Sequence, residues 1–365
     1  QAEDPIKYYY EELSKIIVDD IKRTAKEWDN TDPIITVDDF KAYQPIITEA
    51  VLATFTVTNK EENITLHSFP LPGSGDILGF IMNVMQRFPD MYPKASDFVD
   101  KSALFYHRLI ETYKYAFAKR SHLEDSETEK VKDVLNKLRS NAFADKVMQT
   151  IDDSKTFPSD SDHYDKTPVF MSEDHGTAHA SVVDSFGNAV AVTTTVNSYF
   201  GSKVLSSTTG ILLNNQMDDF NTLATNDFGI RASDSNFVTP GRRPLSSMCP
   251  TVFTDNNGLR LVIGGSGGPK ITTAVASVSM RNLWFGETIK EAIDGPRVHH
   301  QLFADQIVYE KTFPQHVLTR LENKRHSLKR LADGDRGAII MAISRENGKL
   351  YANSDYRKGG TVDGL

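Results

Sequence analysis

The first residues whose chemistry stands out are a glycine and a threonine at the start of a strand-like stretch. Gly176 and Thr177 open a run of small and β-branched residues that turns around Phe186 and returns to Thr195. Such alternation around polar turn residues predicts a β-hairpin. Residues equidistant from Phe186 then pair, and Thr177 lies opposite Thr195 with Cβ atoms about 4.5–5.5 Å apart.

A hydroxyl placed directly after a glycine could break its own chain. If the Thr177 hydroxyl attacked the Gly176 carbonyl, Thr177 would become a new N-terminus. Its α-amine would have an ordinary pKa of about 7.7–8.0, which suits a general base at neutral pH. N-terminal threonine is a known nucleophile of this kind. The hairpin alone is equally compatible with an ordinary structural threonine.

A second hairpin is predicted for residues 248–265, which turn at Asp-Asn-Asn-Gly. Pairing counted from that turn places Ser247 opposite Ser266 and Ser246 opposite Gly267. Two adjacent hydroxyls would then lie beside a glycine-rich loop.

The glycine-rich loop, Gly264 to Gly268, precedes Pro269 and a helix predicted over 271–284. Free N–H groups at a helix start can bind an anion or a developing oxyanion. A phosphate-binding loop is a competing interpretation, but no Gly-Lys-Ser/Thr follows. A flexible linker is the other alternative for an isolated glycine run.

Further motifs accompany these two hairpins in one order along the chain. They are Tyr106-His107-Arg108, Ala116 to Arg120, Asn197, Tyr199 to Lys203, Gly210 to Asn215, Met217 to Phe220, Pro244 to Pro250, Asp294 to Arg297 and Ser354 to Gly360. Together with Gly-Thr-Ala-His at residues 176–179, the series resembles the γ-glutamyltransferase (γ-glutamyl transpeptidase) family of N-terminal nucleophile hydrolases.

The resemblance implies roles for four catalytic residues. Thr177 corresponds to the nucleophile, with autocleavage between Gly176 and Thr177. Thr195 corresponds to the threonine that orients the nucleophile's hydroxyl. Gly267 and Gly268 correspond to the oxyanion hole.

The resemblance also implies a substrate site. Asn197 and Asp219 correspond to residues that hold the α-amino group, and Ser246 and Ser247 to the pair that helps to hold the α-carboxylate. Tyr199 corresponds to an aromatic residue near the lid over the glutamyl pocket.

Two departures from the family pattern affect that site. Gln216 stands where the family usually has a glutamate near the substrate amine, which removes a negative charge facing an ammonium. Charge-assisted hydrogen bonds are about twice as strong as neutral ones, so we expect weaker substrate affinity. The family's carboxylate-binding arginine is expected in a first part of the large subunit that this chain lacks, which leaves Ser246 and Ser247 without an identified cationic partner.

The implied fold class is α+β, the four-layer αββα sandwich of N-terminal nucleophile hydrolases. Residues 1–176 would be the C-terminal part of the large subunit and residues 177–365 the small, catalytic subunit, both from one precursor and together one domain. The implied activity is transfer or hydrolysis of γ-glutamyl groups from glutathione and related amides to acceptor amino acids, dipeptides or water. No cofactor is implied, and the setting would be extracellular, secreted or membrane-anchored. The alternative is a catalytically weak or inactive relative that binds γ-glutamyl compounds or acts as a secreted interaction protein.

Composition agrees with a globular protein. The 365 residues are 39% hydrophobic and 25% charged, and the net charge of −8 argues against nucleic acid as the main partner. The single Cys249 excludes an internal disulfide framework. No apolar run of about 18 residues is present to span a membrane.

Several local patterns complete the expectations. Helices are predicted over 5–27, after Ile35, over 77–88 and over 101–120, β-structure over 44–70, and surface helices with an exposed linker over 121–163. Asn63-Ile64-Thr65 is an N-glycosylation sequon. The basic run 324–330 is interpreted as a solvated helical face. His299 and His300 are interpreted as core or surface histidines rather than metal ligands, because no carboxylate or cysteine cluster accompanies them in the sequence.

Overall fold

A computed structural model describes residues 4–28, 30–57, 62–88, 98–164, 176–222 and 235–364. The chain divides into two compact units. One consists of Gln1–Glu49 with Thr195–Gln216, and the other of Ala50–Thr194 with Met217–Leu365. The division into subunits at Gly176/Thr177 is a separate matter and stays a prediction.

The smaller unit contains the amphipathic helix predicted near the start of the chain. It forms α1 (Pro5–Lys7), a π-helical turn (Tyr8–Glu12) and α2 (Leu13–Trp28). The short helix predicted after Ile35 is α3 (Val37–Ala42), which begins with a capping box formed by Thr36 and Asp39.

A buried aspartate joins the two segments of the smaller unit. Asp20 accepts hydrogen bonds from the Ser206 hydroxyl at 2.7 Å, the Thr208 N–H at 2.9 Å and the Thr208 hydroxyl at 3.0 Å. These hydrogen bonds lower the pKa of Asp20 to about 2, and the bond from Ser206 has the largest effect. The loop that contains Asn197 and Tyr199 is thereby tied to α2.

The larger unit is built on a six-stranded antiparallel sheet of order β1-β2-β5-β6-β10-β11. The strands of this unit are β1 (Val51–Val57), β2 (Glu62–Ser68), β3 (Thr177–Val183), β4 (Ala189–Thr195), β5 (Thr251–Asp255), β6 (Gly258–Ser266), β7 (Val298–His299), β8 (Ile307–Tyr309), β9 (Leu328–Arg330), β10 (Ile339–Glu346) and β11 (Lys349–Ser354). A small second sheet has the order β7-β8-β9.

The helices of this unit are α4 (Gly75–Met85), α5 (Phe98–Arg120), α6 (Glu129–Arg139), α7 (Asn141–Thr150), α8 (Lys270–Leu283), α9 (Ile289–Asp294) and α10 (Gln315–Asn323). Of these, α4, α8 and α9 pack on one face of the six-stranded sheet, and the others pack mainly against helices. Helix α4 packs against β1, β2, α5 and α8, and α8 packs against β6 and β10. Sheet residues such as Phe55, Leu66 and Phe253 are fully buried in this core, and burial of each such side chain stabilises the fold by about 1.5–3 kcal/mol.

The hairpin β3–β4 covers the opposite face of the sheet, with the predicted register. The Asp184 N–H donates to the Asn188 carbonyl at 3.0 Å, and the His179 Nδ1 lies 2.8 Å from the Thr193 hydroxyl. Both pairs are centred on Phe186, which confirms the predicted pairing inside the hairpin. The Ser181 hydroxyl donates to carbonyls of both β6 and β10 at 3.4 Å.

The register predicted for the second hairpin is wrong beyond its turn. Asp255 pairs with Gly258 and Thr254 with Leu259 as predicted, but Phe253 pairs with Leu261. Arg260 is therefore an extra residue in a β-bulge, and a bulge shifts every later pair by one position. The predicted pairs of Ser247 with Ser266 and of Ser246 with Gly267 do not form. Gly264 and Gly265 are also strand residues of β6 rather than loop.

Two surface predictions hold only in part. The basic run 324–330 is mostly exposed or half-buried, as predicted, but it does not form one helical face. The basic run 324–330 leaves α10 through Arg325, whose φ of 71° ends the helix, and continues into strand β9. His326 is buried within it and lies 2.7 Å from His107 Nδ1. The predicted exposed linker is likewise anchored up to Tyr164, whose buried hydroxyl donates to Glu111 Oε2 at 2.5 Å.

Among the described helices, none combines the length and apolar character needed to cross a bilayer.

Buried histidines make the stability of this fold sensitive to acid. Burial lowers the pKa of His107 and of His179 to about 4 each, and that of His326 to about 2. Below about pH 6.5 these histidines are protonated in the unfolded chain, whereas in the folded chain they stay neutral down to their lowered pKa values. The free energy of unfolding therefore rises with pH in this window. We expect the free energy of unfolding to fall between pH 6.5 and 4, by about 1.4 kcal/mol per pH unit for each histidine.

Urea titrations at pH 7.5, 6 and 5 measure this slope. His326→Asn should make it shallower by roughly one proton, whereas the exposed His316→Asn should leave it unchanged. A stability that is independent of pH across the window would contradict the burial of these rings as neutral groups.

Candidate active site

Thr177 is the first residue of β3 and is 2% exposed. Its carbonyl accepts a hydrogen bond from Lys358 Nζ at 2.9 Å. Burial lowers the pKa of this lysine. Lys358 belongs to a motif that the sequence shows, but no pattern in the sequence predicts its contact with Thr177.

Strand β3, which begins at Thr177, packs against β6, the strand that leads to the glycine turn. His179 packs on Gly264, where any Cβ would overlap the imidazole ring, and Ser181 contacts Val262. Moving two residues forward along β3, from His179 to Ser181, therefore corresponds to moving two residues back along β6, from Gly264 to Val262. If the same alignment continues for two more residues, it predicts that Thr177 lies level with Ser266.

Gly267 and Gly268 have φ angles of 124° and 56°, in the region that favours glycine. A Cβ on Gly267 would also come within 2.8 Å of Ala338 Cα. The two carbonyls accept from the N–H groups of Lys270 at 3.2 Å and Ile271 at 3.0 Å, the first turn of α8. A buried threonine therefore begins β3, and a glycine turn begins α8; these are the two parts that the predicted oxyanion site would need.

Ser246 and Ser247 are fixed by backbone contacts rather than by pairing with the glycine loop. The Ser246 N–H donates to the Pro72 carbonyl at 2.8 Å, and the Ser246 carbonyl accepts from the Ser74 hydroxyl at 2.7 Å. The Ser247 carbonyl accepts from the Thr272 hydroxyl at 3.1 Å, which ties the pair to α8.

A buried cation stands beside this pair. Arg120 Nη2 lies 3.4 Å from the Ser247 hydroxyl, and Arg120 is 8% exposed. The sequence left Ser246 and Ser247 without an identified cationic partner, because Arg120 is 127 positions away from Ser247. The only feature of the sequence that could have pointed to Arg120 is its position in the basic last turn of α5.

Asn236 links Asp219 to the serine pair, and sequence reasoning missed it. Its Nδ2 donates to the Asp219 carbonyl at 2.8 Å, and its Oδ1 accepts from the Leu245 N–H at 3.0 Å. Its φ of 60° suits asparagine better than most residues. Asp219 itself ends a 3₁₀ turn that begins at Gln216.

The smaller unit holds the predicted residues Thr195, Asn197, Tyr199 and Gln216. Asn197 is buried with a φ of 72°, and its N–H donates to the Thr195 hydroxyl at 2.8 Å. Its Nδ2 donates to the Asn215 carbonyl at 3.1 Å, while its Oδ1 has no hydrogen-bond donor among the described residues. Tyr199 is 57% exposed.

The remaining predicted sites lie apart from these. Asn63 is exposed on β2 and accepts from the Thr56 hydroxyl at 3.1 Å, so its use for glycosylation stays a prediction. His299 and His300 are buried, as predicted, and His299 Nδ1 contacts the Thr273 hydroxyl at 2.8 Å. A carboxylate does accompany them, because Asp305 lies 3.6 Å from His300.

One buried cluster has metal-ligand types: His107, Glu111 and His326, whose ligand atoms lie within 4.8 Å of one another. The His107 and His326 nitrogens are only 2.7 Å apart. Nitrogen ligands at zinc distances of about 2.0–2.1 Å stand farther from each other in a tetrahedral site. His107 Nε2 also contacts the Asp152 carbonyl at 2.9 Å. The geometry is that of a hydrogen-bonded core network.

Comparison with known structures gives the class of fold. The cephalosporin acylase from Bacillus halodurans superimposes with a TM-score of 0.77 at 22% identity, over 98% of this chain and 59% of that one. This likeness confirms the predicted α+β fold class.

Sequence comparison gives the family. The γ-glutamyltranspeptidase family model matches residues 2–365, and the chain belongs to that family. It is 42% identical over 360 residues to scoloptoxin SSD14 of Scolopendra dehaani, covering 98% of this chain and 59% of that protein. It is 34% identical over 349 residues to the glutathione hydrolase proenzyme of Escherichia coli (strain K12), covering 94% and 57%. The chain spans little more than half the length of these two relatives.

The packing of His179 on Gly264 gives a test of the site. We expect Gly264→Ala to destabilise the protein by about 1–3 kcal/mol, because a methyl group overpacks the contact between β3 and β6. Thermal denaturation measures the loss. Gly79→Ala, a helical glycine whose added Cβ would make only an ordinary contact at 3.6 Å, is the matched control and should cost far less.

Combining Gly264→Ala with His179→Ala should recover part of the lost stability, because the second change removes the ring that the methyl group meets. Strictly additive losses would contradict the proposed contact.

Proposed function

We propose that this protein transfers and hydrolyses the γ-glutamyl group of glutathione and related γ-glutamyl amides. Thr177 is the nucleophile, after autocleavage at Gly176/Thr177. The observation that carries the proposal is the packing of β3, which begins at the buried Thr177, against β6, which leads into the positive-φ glycines at the start of α8. The relative named as a glutathione hydrolase proenzyme supports both the activity and its processing.

The first chemical step is processing. The Thr177 hydroxyl attacks the Gly176 carbonyl, the peptide C–N bond breaks, the hydroxyl proton passes to the departing Thr177 nitrogen, and an ester joins the two pieces. Water hydrolyses the ester, which leaves a carboxylate on Gly176 and a free amine on Thr177. This amine is then the general base for the same hydroxyl.

The catalytic cycle repeats this chemistry on substrate. The Thr177 hydroxyl loses its proton to the α-amine and attacks the γ-carbonyl, and the Gly267 and Gly268 amides stabilise the oxyanion. The α-amine passes the proton to the leaving amine, and a γ-glutamyl ester remains on Thr177. Water or the amine of an acceptor amino acid or dipeptide then releases the γ-glutamyl group. Thr195 orients the nucleophile in this scheme.

Two sets of residues would hold the substrate's α-carbon groups. Asn197 offers a buried carbonyl oxygen without a donor, which suits an ammonium. Asp219 adds a negative charge and Gln216 a neutral acceptor. Ser246 and Ser247 face the carboxylate, and Arg120 contributes positive charge beside Ser247.

A weak or inactive relative is the second candidate, and Gln216 favours it. A γ-glutamyl-binding protein could keep every contact described here without turnover. The relatives named scoloptoxins are 42% and 49% identical over the matched residues, so a role outside glutathione chemistry deserves the same test. We also propose an extracellular setting, in which the exposed Asn63 carries a glycan.

Processing gives the direct test of the leading candidate. We expect denaturing electrophoresis of the protein to show two pieces that meet at Gly176/Thr177, because the hydroxyl needs no other partner for attack. Thr177→Ala should give one band, and Thr177→Ser should still be cut. Activity on a chromogenic γ-glutamyl anilide should follow the cut protein. A wild-type chain that stays in one piece after long incubation counts against the enzyme.

The charge at position 216 gives a second test. We expect Gln216→Glu to lower the KM for a γ-glutamyl donor several-fold with little change in kcat, because the added charge meets an ammonium present in both ground and transition states. Steady-state kinetics over a range of donor concentrations measure both. Gln216→Met is the control, and it should not lower KM. An unchanged or higher KM for the glutamate variant would show that residue 216 does not face the substrate amine.

A further inference from the structure

Behind the glycine loop lies a small cavity that the proposed chemistry does not use. Its volume is about 20 Å³, and its lining includes Lys270, Ala274, Arg297 and Ala338. About 10–15 Å³ is enough for one water molecule or one small ion. The cavity therefore has room for a single small ligand.

The guanidinium of Arg297 lines this cavity with unused donors. Arg297 is 5% exposed, and only its Nη2 is paired, with Asp355 Oδ2 at 2.7 Å and the Ala338 carbonyl at 3.0 Å. Nε and Nη1 have no hydrogen-bond partner among the described residues. A buried charged group with unmet donors is costly, and such exceptions often mark a water or an ion.

The nearest carboxylate does not meet these donors. Glu310 Oε1 is 3.7 Å from Arg297 Nε, beyond hydrogen-bond distance. Both Glu310 oxygens instead accept from Arg357, at 2.9 and 2.6 Å. Asp355 is likewise shared between the two arginines. The two acids and two arginines thus balance each other in charge.

The chemistry of the lining selects the ligand class. Donors without acceptors call for an acceptor, and Lys270 is a second basic residue in the wall. The wall also contains the carboxylate of Glu310, which both Arg297 and Arg357 face, and polar Thr273, His299 and Tyr309. A volume of about 20 Å³ leaves no room for a large oxyanion. We propose that Arg297 binds one monovalent halide of the chloride class in this cavity.

The position of the halide would couple it to the glycine loop. Arg297 holds the Ala338 carbonyl, and Ala338 Cα packs where a Cβ on Gly267 would be. Lys270 begins the helix that follows Gly268. A bound halide would therefore restrain Arg297 and, through it, the Ala338 segment that packs against Gly267. Any effect on turnover rests on the proposed function, whereas binding itself does not.

Thermal melting in matched salts tests the binding. Chloride should raise the Tm of the protein over that in gluconate at constant ionic strength, by roughly 2–5 °C at saturation. Bromide should act like chloride. Ala274→Val, which fills the cavity without touching the ion network, should abolish the halide-specific rise. The exposed Lys311→Gln is the charge control and should keep it.

Diffraction from wild-type crystals grown in bromide makes the test independent of any variant. An anomalous peak in the cavity beside Arg297 supports the site. Equal melting curves in chloride and gluconate, a filled variant that responds like wild type, or bromide absent from the cavity would each overturn it and leave water as the occupant. A halide-dependent Tm in a protein without γ-glutamyl activity would support the site while counting against the proposed function.

Discussion

The close approach of β3 to β6 is the constraint on which the rest of this site depends. The imidazole of His179 fills the space that a side chain at position 264 would occupy, so its ring lies directly against the backbone of β6. The ring is held in the hairpin by Thr193 at 2.8 Å and Ser181 at 3.1 Å. Because burial lowers its pKa to about 4, the ring is neutral at physiological pH and needs no counter-ion. These contacts tie β3 to β4 and to the backbone of β6 two residues after Thr177.

The glycine turn at Gly267 is supported by a buried network of charged side chains, Arg297, Asp355 and Arg357. Although burial raises the pKa of Asp355, Arg297 and Arg357 hold it below its usual range, so the carboxylate stays ionised inside the protein. Asp355 also accepts from the Ile340 N–H at 2.9 Å in the strand beside β6. Removing one member of such a buried network leaves another charge unpaired, which is far more costly than losing one hydrogen bond. The glycine turn at Gly267 is therefore supported by groups that cannot relax independently.

Local features of this fold could be predicted from the sequence, and distant ones could not. The first hairpin has its pairing set by Asp184, whose side chain and backbone bond the turn residues themselves. The second has an equally strong turn signal, but Arg260 bulges out to reach Asp255 at 3.3 Å and the Arg345 carbonyl at 2.8 Å. That carbonyl belongs to β10, so a partner 85 residues away decides the register.

The same distinction applies to the burial of polar residues. His326 lies in a run of basic residues that indicates an exposed face, yet His107 and the C-terminal turn of α10 draw it into the core. Arg120 and Asn236 could not be predicted as site residues from the sequence, because only the folded chain shows their contacts with Ser247 and Leu245. The motif residues Thr177, Gly267 and Gly268 could be named in advance, since each has a local conformational or chemical reason.

The charge around the substrate ammonium is where the two candidate functions diverge. Asn197 provides a buried oxygen that has no donor among the described residues, and such an acceptor is worth retaining only if a donor arrives. An ammonium supplies that donor whether or not chemistry follows. The family resemblance assigns the acidic Asp219 to the same amine, so on the proposed function a glutamine at position 216 would weaken the attraction without removing it. That change acts on ground and transition states alike and leaves the nucleophile and the glycine turn untouched. The neutral residue at 216 therefore argues for weaker substrate binding rather than for lost chemistry.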